Sequence, residues 1–359
     1  MKIIVTAGGT GGHINPALAI INKFKEKEKD LEVLYIGTHN RMEKDIIPKL
    51  GIKYIPIEIY GFSKTKILRD FKNIFLIAKA KKECIKIMKD FKPDVVIGVG
   101  GYVTYPVIKA AKSLNIKTVL HEQNSIPGKT NIFLSKIVDL VCISFKNSTS
   151  HFHNDNVVYT GNPCGDDAIK VEAYDKTKLG FNKDKRLIII VAGSLGSSSM
   201  NEKFKTYLNL VGNEDYEILY ITGKDLYEDF ILDSSFPQNV KVVPYFDNLS
   251  SLMKSADLII TRAGASTLSE IISVNIPSIL IPSPYVSNNH QYYNALDLVN
   301  LGVAILIEEK NLNAEVIQVN VNELMNNSEK YQNMKDNLKK ISDSKASDKI
   351  YDAIKGILK

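Results

Sequence analysis

Apolar residues along the chain fall in short β-branched runs, separated by longer stretches in which they recur at helical spacing. Met1 to Thr6 reads as a strand, followed by a glycine-rich loop and an amphipathic helix from Pro16 to Lys29. Glu32 to Ile36, Pro93 to Gly98, Lys117 to His121 and Val138 to Ser144 read as further strands. This alternation predicts an α/β fold in which helices cover a parallel sheet. The pattern breaks near Gly161-Asn162-Pro163, and at Leu187 a new strand begins.

That strand restarts the same design. Leu187 to Val191 runs into Ala192-Gly193-Ser194-Leu195-Gly196, as Ile3 to Val5 runs into Gly8-Gly9-Thr10-Gly11-Gly12. A second correspondence places Asp94 and Gly101 at the same spacing as Asp257 and Gly264, each followed by a helical stretch, then Asn115-Ile116 or Asn275-Ile276, then another strand. Two similar halves follow: residues 1–163, and residues 164–342, with a last helix at about 343–359 expected to pack back on the first half. Ligands in such sheets sit at the C-terminal ends of the strands, so a shared cleft is expected between the halves.

The composition is that of an ordinary globular protein, 44% hydrophobic and 24% charged over 359 residues. That length favours two domains over one core. No apolar run reaches the roughly 18 residues of a membrane span, and the N-terminus lacks the long apolar stretch of a secretory leader, so the expected compartment is the cytoplasm. Cys84, Cys142 and Cys164 form no C-x-x-C pair, and His151-Phe152-His153 has no partner cluster, so no metal site is indicated. The charge is uneven. Between Gly61 and Pro93 ten basic residues face three acidic ones, against a net charge of +6 for the whole chain. The segment reads either as a solvated helical face or as a surface for an anionic partner.

Three loops carry chemistry. Gly8 to Pro16 joins a strand to a helix, where bare amides and a helix N-terminus suit a phosphate. The spacing is not G-x-G-x-x-G, and the second strand ends in Gly37-Thr38-His39 rather than in a ribose-binding acid, which argues against a dinucleotide site. Arg262-Ala263-Gly264-Ala265-Ser266-Thr267-Leu268-Ser269-Glu270 again opens a helix after a strand; from position alone Glu270 reads equally as an exposed helix-start acid. Pro282 to Gln291 is a loop rich in amides, which suit sugar hydroxyls. No D-x-D pair occurs, so helix N-termini would have to meet the charge of a nucleotide diphosphate. His13, at a helix start, is the candidate general base, the alternative being that it only hydrogen-bonds an acceptor.

Read in order, Gly8 to His13, Gly37-Thr38 with Glu43, Gly100-Gly101-Tyr102-Val103, His121-Glu122-Gln123-Asn124, Gly161-Asn162-Pro163, Gly193 to Gly196 with Asn201, Gly264 to Glu270, and Gln291-Tyr292 with Asn294-Ala295 resemble one family over nearly the whole chain. It is the bacterial N-acetylglucosaminyltransferase of peptidoglycan synthesis, which converts lipid I to lipid II. The resemblance implies a GT-B architecture, two Rossmann-like domains with parallel sheets facing across a cleft, and inverting transfer of N-acetylglucosamine from UDP-N-acetylglucosamine without a metal or other cofactor. It implies donor contacts from Ser194 to phosphate, from Ala265, Ser266 and Thr267 to the diphosphate, from Glu270 to the ribose, from the Phe246 backbone to uracil, and from Gln291 and Asn124 to the sugar, with Thr10, Gly11 and Gly12 near the donor. The acceptor diphosphate is expected on Gly8, Gly9 and Gly12 with Gly100 and Gly101. Lys64, Lys66, Arg69 and Lys72 would face anionic lipid, with Ile67, Phe71, Ile74 or Phe75 dipping into it, placing the protein peripherally at the cytoplasmic face of the cell membrane. Other cell-wall synthesis proteins are the further partners implied, and no nucleic acid.

Two positions depart from the family pattern. Cys164-Gly165 stand where many relatives carry an arginine linked to donor binding, leaving Arg262 as the candidate replacement cation, with Glu122 the second candidate base after His13. His290-Gln291 replaces a common Gln-Gln pair. The alternatives are an epimerase or another lipid glycosyltransferase on the same fold and, from another class, a basic nucleic-acid-binding protein. No nucleic-acid motif or repeated aromatic platform supports the last.

Overall fold

In the computed structural model, which describes residues 1–61, 67–153, 155–193, 196–212, 214–232, 234–342 and 345–359 (backbone only for 67–72), the repeated aspartates explain the repeat. The Asp94 carboxylate accepts from the Lys2 amide at 2.7 Å while the Asp94 amide donates to the Lys2 carbonyl at 2.8 Å. Asp257 does the same to Leu187, at 2.9 and 2.8 Å. Each pair closes the foot of two central strands. The Asn before each following strand adopts a left-handed turn, φ 54° at Asn115 and 57° at Asn275, a conformation that asparagine tolerates better than most residues.

The chain divides into two compact units, Met1–Cys164 with Lys345–Lys359, and Gly165–Ser344. The first has a seven-stranded parallel sheet: β1 (Lys2–Ala7), β2 (Glu32–Thr38), β3 (Lys53–Ile57), β4 (Val95–Gly100), β5 (Lys117–Glu122), β6 (Leu140–Ile143) and β7 (Val157–Tyr159), in the order β3-β2-β1-β4-β5-β6-β7. Its helices are α1 (Gly11–Lys27), α2 (Glu43–Lys49), α3 (Ile67–Phe91), α4 (Thr104–Ser113) and α5 (Lys129–Ser135). The linking helix α6 (Cys164–Lys170) leads to the second unit, whose helices are α7 (Ser198–Leu210), α8 (Tyr227–Ile231), α9 (Leu249–Met253), α10 (Ala265–Val274), α11 (His290–Asn300), α12 (Ala314–Asn326) and α13 (Ser328–Ile341). Its six parallel strands are β8 (Arg186–Val191), β9 (Tyr216–Ile221), β10 (Val240–Val243), β11 (Leu258–Thr261), β12 (Ser278–Leu280) and β13 (Ala304–Leu306), ordered β10-β9-β8-β11-β12-β13. Both sheets share one winding, and in each the strand order reverses between the pinned pair, β1 and β4 or β8 and β11. Loops leaving the C-terminal ends there form the crevice in which α/β sheets bind ligands.

The last helix, α14 (Ala346–Leu358), belongs to the first unit. Ile350 and Ile354 are buried in the same core cluster as Phe24 and Ile20 of α1. Lys23 and Lys27 pair with Asp348, while Glu28 pairs with Lys355 and accepts from the Tyr351 hydroxyl at 2.6 Å.

Helix α1 begins at Gly11, five residues before the expected start. Pro16 therefore lies inside the helix, where it removes one backbone bond instead of opening the helix. The basic segment largely forms α3. Leu76, Ala80, Cys84 and Met88, spaced by four, are buried, while Phe75, Lys79, Lys82, Lys86 and Lys89 are exposed on the opposite face. Among the described residues no helix is long and apolar enough to cross a membrane.

Candidate functional site

In the first unit, β1 and β4 deliver two glycine pairs to one place. The Gly8 amide donates to the Gly100 carbonyl at 3.2 Å. Gly100 and Gly101 have φ of +127° and +85°, which favour glycine, and a Cβ on Gly101 would lie 2.5 Å from the Gly8 carbonyl oxygen. The His13 ring packs over Gly100, where a Cβ would lie 2.6 Å from its Cδ2. His13 Nδ1 lies 3.0 Å from the Gly8 carbonyl oxygen. A carbonyl only accepts, so the neutral ring carries its proton on Nδ1 and its lone pair on Nε2. Thus Gly8, Gly9, Gly100, Gly101 and His13 converge, and Thr10, Gly11 and Gly12 stand at the N-terminus of α1, with no side-chain cap among the described residues.

Sequence reasoning matched Glu43 to the family pattern without giving it a role. It is fully buried, and its carboxylate accepts from the Gly9 amide at 3.2 Å, the Thr38 amide at 3.0 Å and the Thr38 hydroxyl at 2.6 Å. The available signal was an acid five residues beyond the strand-ending Thr38, where a nucleotide fold would hold a ribose.

At the end of β5, Glu122 is buried and accepts from the Asn124 amide at 3.0 Å and side chain at 3.2 Å, the Gly128 amide at 3.1 Å and Asn131 at 2.8 Å. This carboxylate is occupied with orienting Asn124 and the start of α5, which corrects its standing as the second candidate base. His121 is also buried, and desolvation lowers its pKa to about 4 despite the Gly161 carbonyl. It is therefore neutral near pH 7.

In the second unit, Gly193 and Gly196 turn the chain after β8 with φ of +101° and +75°. A Cβ on Gly196 would lie 2.1 Å from the Thr222 carbonyl oxygen. Ser197 caps α7 by accepting from the Met200 amide. Ser194 lies outside the described residues, as do Lys64 and Lys66 and the side chains of Ile67, Arg69, Phe71 and Lys72. After β11, α10 starts at Ala265 with Gly264 as N-cap and, among the described residues, no side-chain cap, leaving the first-turn amides available to an anion. Among the described residues Ser266 Oγ is buried there without a hydrogen-bond partner. Asn294 of α11 donates to the Ala263 carbonyl at 3.2 Å and so fixes the approach to α10. Glu270, one turn on, is half-buried; desolvation, with the like charge of Asp167, raises its carboxyl to about 7.

Gln291 accepts from the Ser283 amide at 2.9 Å, holding the Pro282 loop and leaving its NH2 group to point elsewhere. His290 contacts the Ser287 carbonyl at 2.8 Å through Nδ1. Phe246 meets Tyr174 edge-on, with centroids 5.0 Å apart. Arg262 does not stand in for the missing arginine. It is buried and ion-paired with Glu309, and also donates to the Ile281 carbonyl and Ser197. Burial raises the Glu309 pKa, but hydrogen bonds from Arg262 and Ser199 outweigh that and leave it below the usual carboxylate range. No sequence signal links two residues so far apart in the chain. Among the described residues no group of three acidic, histidine or cysteine side chains is arranged to hold a metal ion.

The sequence matches the glycosyltransferase family 28 N-terminal domain over residues 3–143 and the C-terminal domain of the same family over residues 187–350. It is 40% identical, over the full length of both chains, to a protein of Bacillus cytotoxicus called UDP-N-acetylglucosamine--N-acetylmuramyl-(pentapeptide) pyrophosphoryl-undecaprenol N-acetylglucosamine transferase. A protein of Halalkalibacterium halodurans with the same name is likewise 40% identical over the full length of both. Among solved structures, Acinetobacter baumannii MurG aligns with a TM-score of 0.80 at 28% identity, over 99% of each chain.

Proposed function

The chain belongs to the UDP-N-acetylglucosamine–N-acetylmuramyl-(pentapeptide) pyrophosphoryl-undecaprenol N-acetylglucosamine transferases, and from that premise we propose how its two units divide the reaction. The enzyme transfers N-acetylglucosamine from UDP-N-acetylglucosamine to lipid I and so makes lipid II for peptidoglycan. Full-length identity of 40% to such transferases decides against the epimerase reading.

The second unit takes the donor. The observation that carries this assignment is the α10 start, where amides uncapped and a Ser266 hydroxyl unpartnered among the described residues lie one turn from Glu270. The amides of Ala265, Ser266 and Thr267 receive the diphosphate, Glu270 the ribose hydroxyls, the Phe246 backbone the uracil and the Gln291 amide the sugar; Ser194 serves a phosphate. No metal is assigned a part, because the helix N-terminus meets the developing charge of the departing UDP. In the first unit, the Gly8 and Gly9 amides serve the loop itself. The acceptor diphosphate therefore falls to Gly11 and Gly12 at the α1 start, with Gly100 and Gly101 shaping the floor. Thr10 and Asn124 are assigned to the donor sugar. His13 takes the acceptor proton as its oxygen attacks the anomeric carbon, and one displacement inverts that carbon. Hydrogen exchange tests the division: UDP should protect the amides of Ala265 to Thr267 and leave those of Gly11 and Gly12 unchanged. The reverse pattern would exchange the two roles.

The acceptor's lipid tail calls for a membrane-facing surface, and α3 supplies the chemistry. Phe75 is 79% and Ile74 55% exposed, and exposed Lys79, Lys82 and Lys86 continue the Phe75 face. Exposed aromatic side chains beside lysines suit an interface with anionic lipid. The enzyme is on this reading peripheral, at the cytoplasmic face of the cell membrane. Each basic residue contributes about 1 kcal/mol to such binding. Reversing charge at Lys66, Arg69 and Lys72 should weaken sedimentation with anionic vesicles by about 100-fold or more. Turnover of a soluble acceptor analogue should persist. Undiminished vesicle binding would reduce the segment to a solvated helix.

A further inference from the structure

We propose that Glu43 is a positioning residue, the buried acid that sets the glycine loop for the acceptor diphosphate; this rests on the reading that the α1 start takes that diphosphate. Two glycines in succession give Gly8-Gly9 little conformational preference of their own. Something must fix the direction in which the chain enters α1. On one side the Gly8 amide is held by Gly100. On the other, the Gly9 amide is held by Glu43 Oε2 at 3.2 Å, while Glu43 Oε1 takes both donors of Thr38.

The choice of an acid is informative. Glu43 is wholly buried, and among the described residues no lysine or arginine pairs with it. Burying a charge without a counter-ion is costly, and a neutral amide would fill the same space at a lower desolvation cost. Only a carboxylate, however, accepts on both oxygens at once, from the end of β2 on one and from the loop after β1 on the other. The packing is tight: a Cβ on Gly8 would lie 2.8 Å from Glu43 Oε1 and 3.0 Å from Val103 Cγ1. Glu43 thus draws the Gly9 amide down toward the sheet, and the amides of the α1 start are the ones left to meet an anion.

Glu43→Gln separates this role from simple packing. The two donors of Thr38 retain the amide oxygen, and the NH2 group then faces the Gly9 N–H donor to donor. Glu43→Gln should lower kcat/KM for the acceptor by about 10- to 100-fold, leave the donor KM unchanged and speed hydrogen exchange at the Gly9 amide. Thr38→Val is the comparison, since it removes one hydrogen bond to the same carboxylate but keeps the Gly9 contact. It should lower Tm while leaving the acceptor constants in place. Unchanged acceptor constants in Glu43→Gln, or a loss that merely tracks Tm as in Thr38→Val, would overturn the proposal. If Glu43→Gln does not fold, Glu43→Asp carries the same test, its shortened side chain withdrawing from Gly9. Gly12→Ala distinguishes failure of the underlying reading, because a Cβ there makes only ordinary contact, 3.6 Å from Thr10 Oγ1. A shift in its donor KM alone would reassign the loop, whereas Gly9 exchange would still report whether Glu43 holds it.

Discussion

Replacing His13 with alanine or glutamine lowers kcat by about 10²- to 10⁴-fold, the range expected when a general base is lost. The geometry favours this outcome. The Gly8 carbonyl, 3.0 Å from Nδ1, fixes the tautomer that leaves the lone pair on Nε2. Gly100 leaves room for the ring, since any side chain there would displace it. The assay is kcat across pH for the wild type, His13→Ala and His13→Gln. The acidic limb of the wild-type profile should disappear in both variants. A defect confined to acceptor KM would assign His13 to binding and leave solvent to take the proton, since Glu122 is fully engaged.

Glu270→Ala raises the donor KM by about 10- to 150-fold, the value of a hydrogen bond to a charged group. Its pH dependence gives a sharper test. Desolvation first, and the Asp167 charge second, raise the carboxyl of the free protein to about 7. Ribose hydroxyls donate to a carboxylate, so donor binding favours the ionised form and lowers that pKa. Binding must then release protons below neutrality, and UDP affinity should fall by up to about tenfold per pH unit as the pH drops from 7. Glu270→Gln should flatten that dependence between about pH 5.5 and 8. In the donor-free protein a raised carboxyl pKa has the opposite consequence. The folded state holds the proton more tightly than the unfolded one, so the stability it contributes is present at low pH and is lost as the pH rises toward 7. Titration calorimetry in two buffers of different ionisation enthalpy reads the proton release directly. No release, with an unchanged KM in Glu270→Ala, would remove Glu270 from the donor site.

Much of the fold was legible because the same physical device occurs twice. Asp94 and Asp257 close strand pairs, Asn115 and Asn275 turn left-handed, and glycines follow β1, β4 and β8 where loops approach each other closely. A device repeated at constant spacing leaves a visible trace. The edge strands left none. β3, β7, β10 and β13 lie at the margins of their sheets, and they are short, half-exposed or interrupted, as β3 is by Pro56, so no continuous apolar run marks them. The central strand β9 also escaped, because Glu217 breaks its apolar run while accepting from the Asn182 amide. At the site, residue types and loop positions could be read, but their commitments to one another could not. Arg262 resembled a free cation until Glu309, 47 residues on, proved to pair with it. Gly9 resembled a phosphate ligand until Glu43 proved to occupy its amide. Such pairings depend on which side chains tertiary folding brings together, and local spacing does not encode that.

The placement of α14 bears on how the chain comes off the ribosome. Domains usually fold in the order in which they are made, but the first unit cannot be completed in that order. Its α1 face, with Ile20 and Phe24, gains the cover of Ile350 and Ile354 only after all of Gly165–Ser344 has been synthesised. Until then the helix that begins at Gly11 has its sheet contacts but lacks the cover of Ile350 and Ile354. Maturation of the first unit is thus tied to completion of the second.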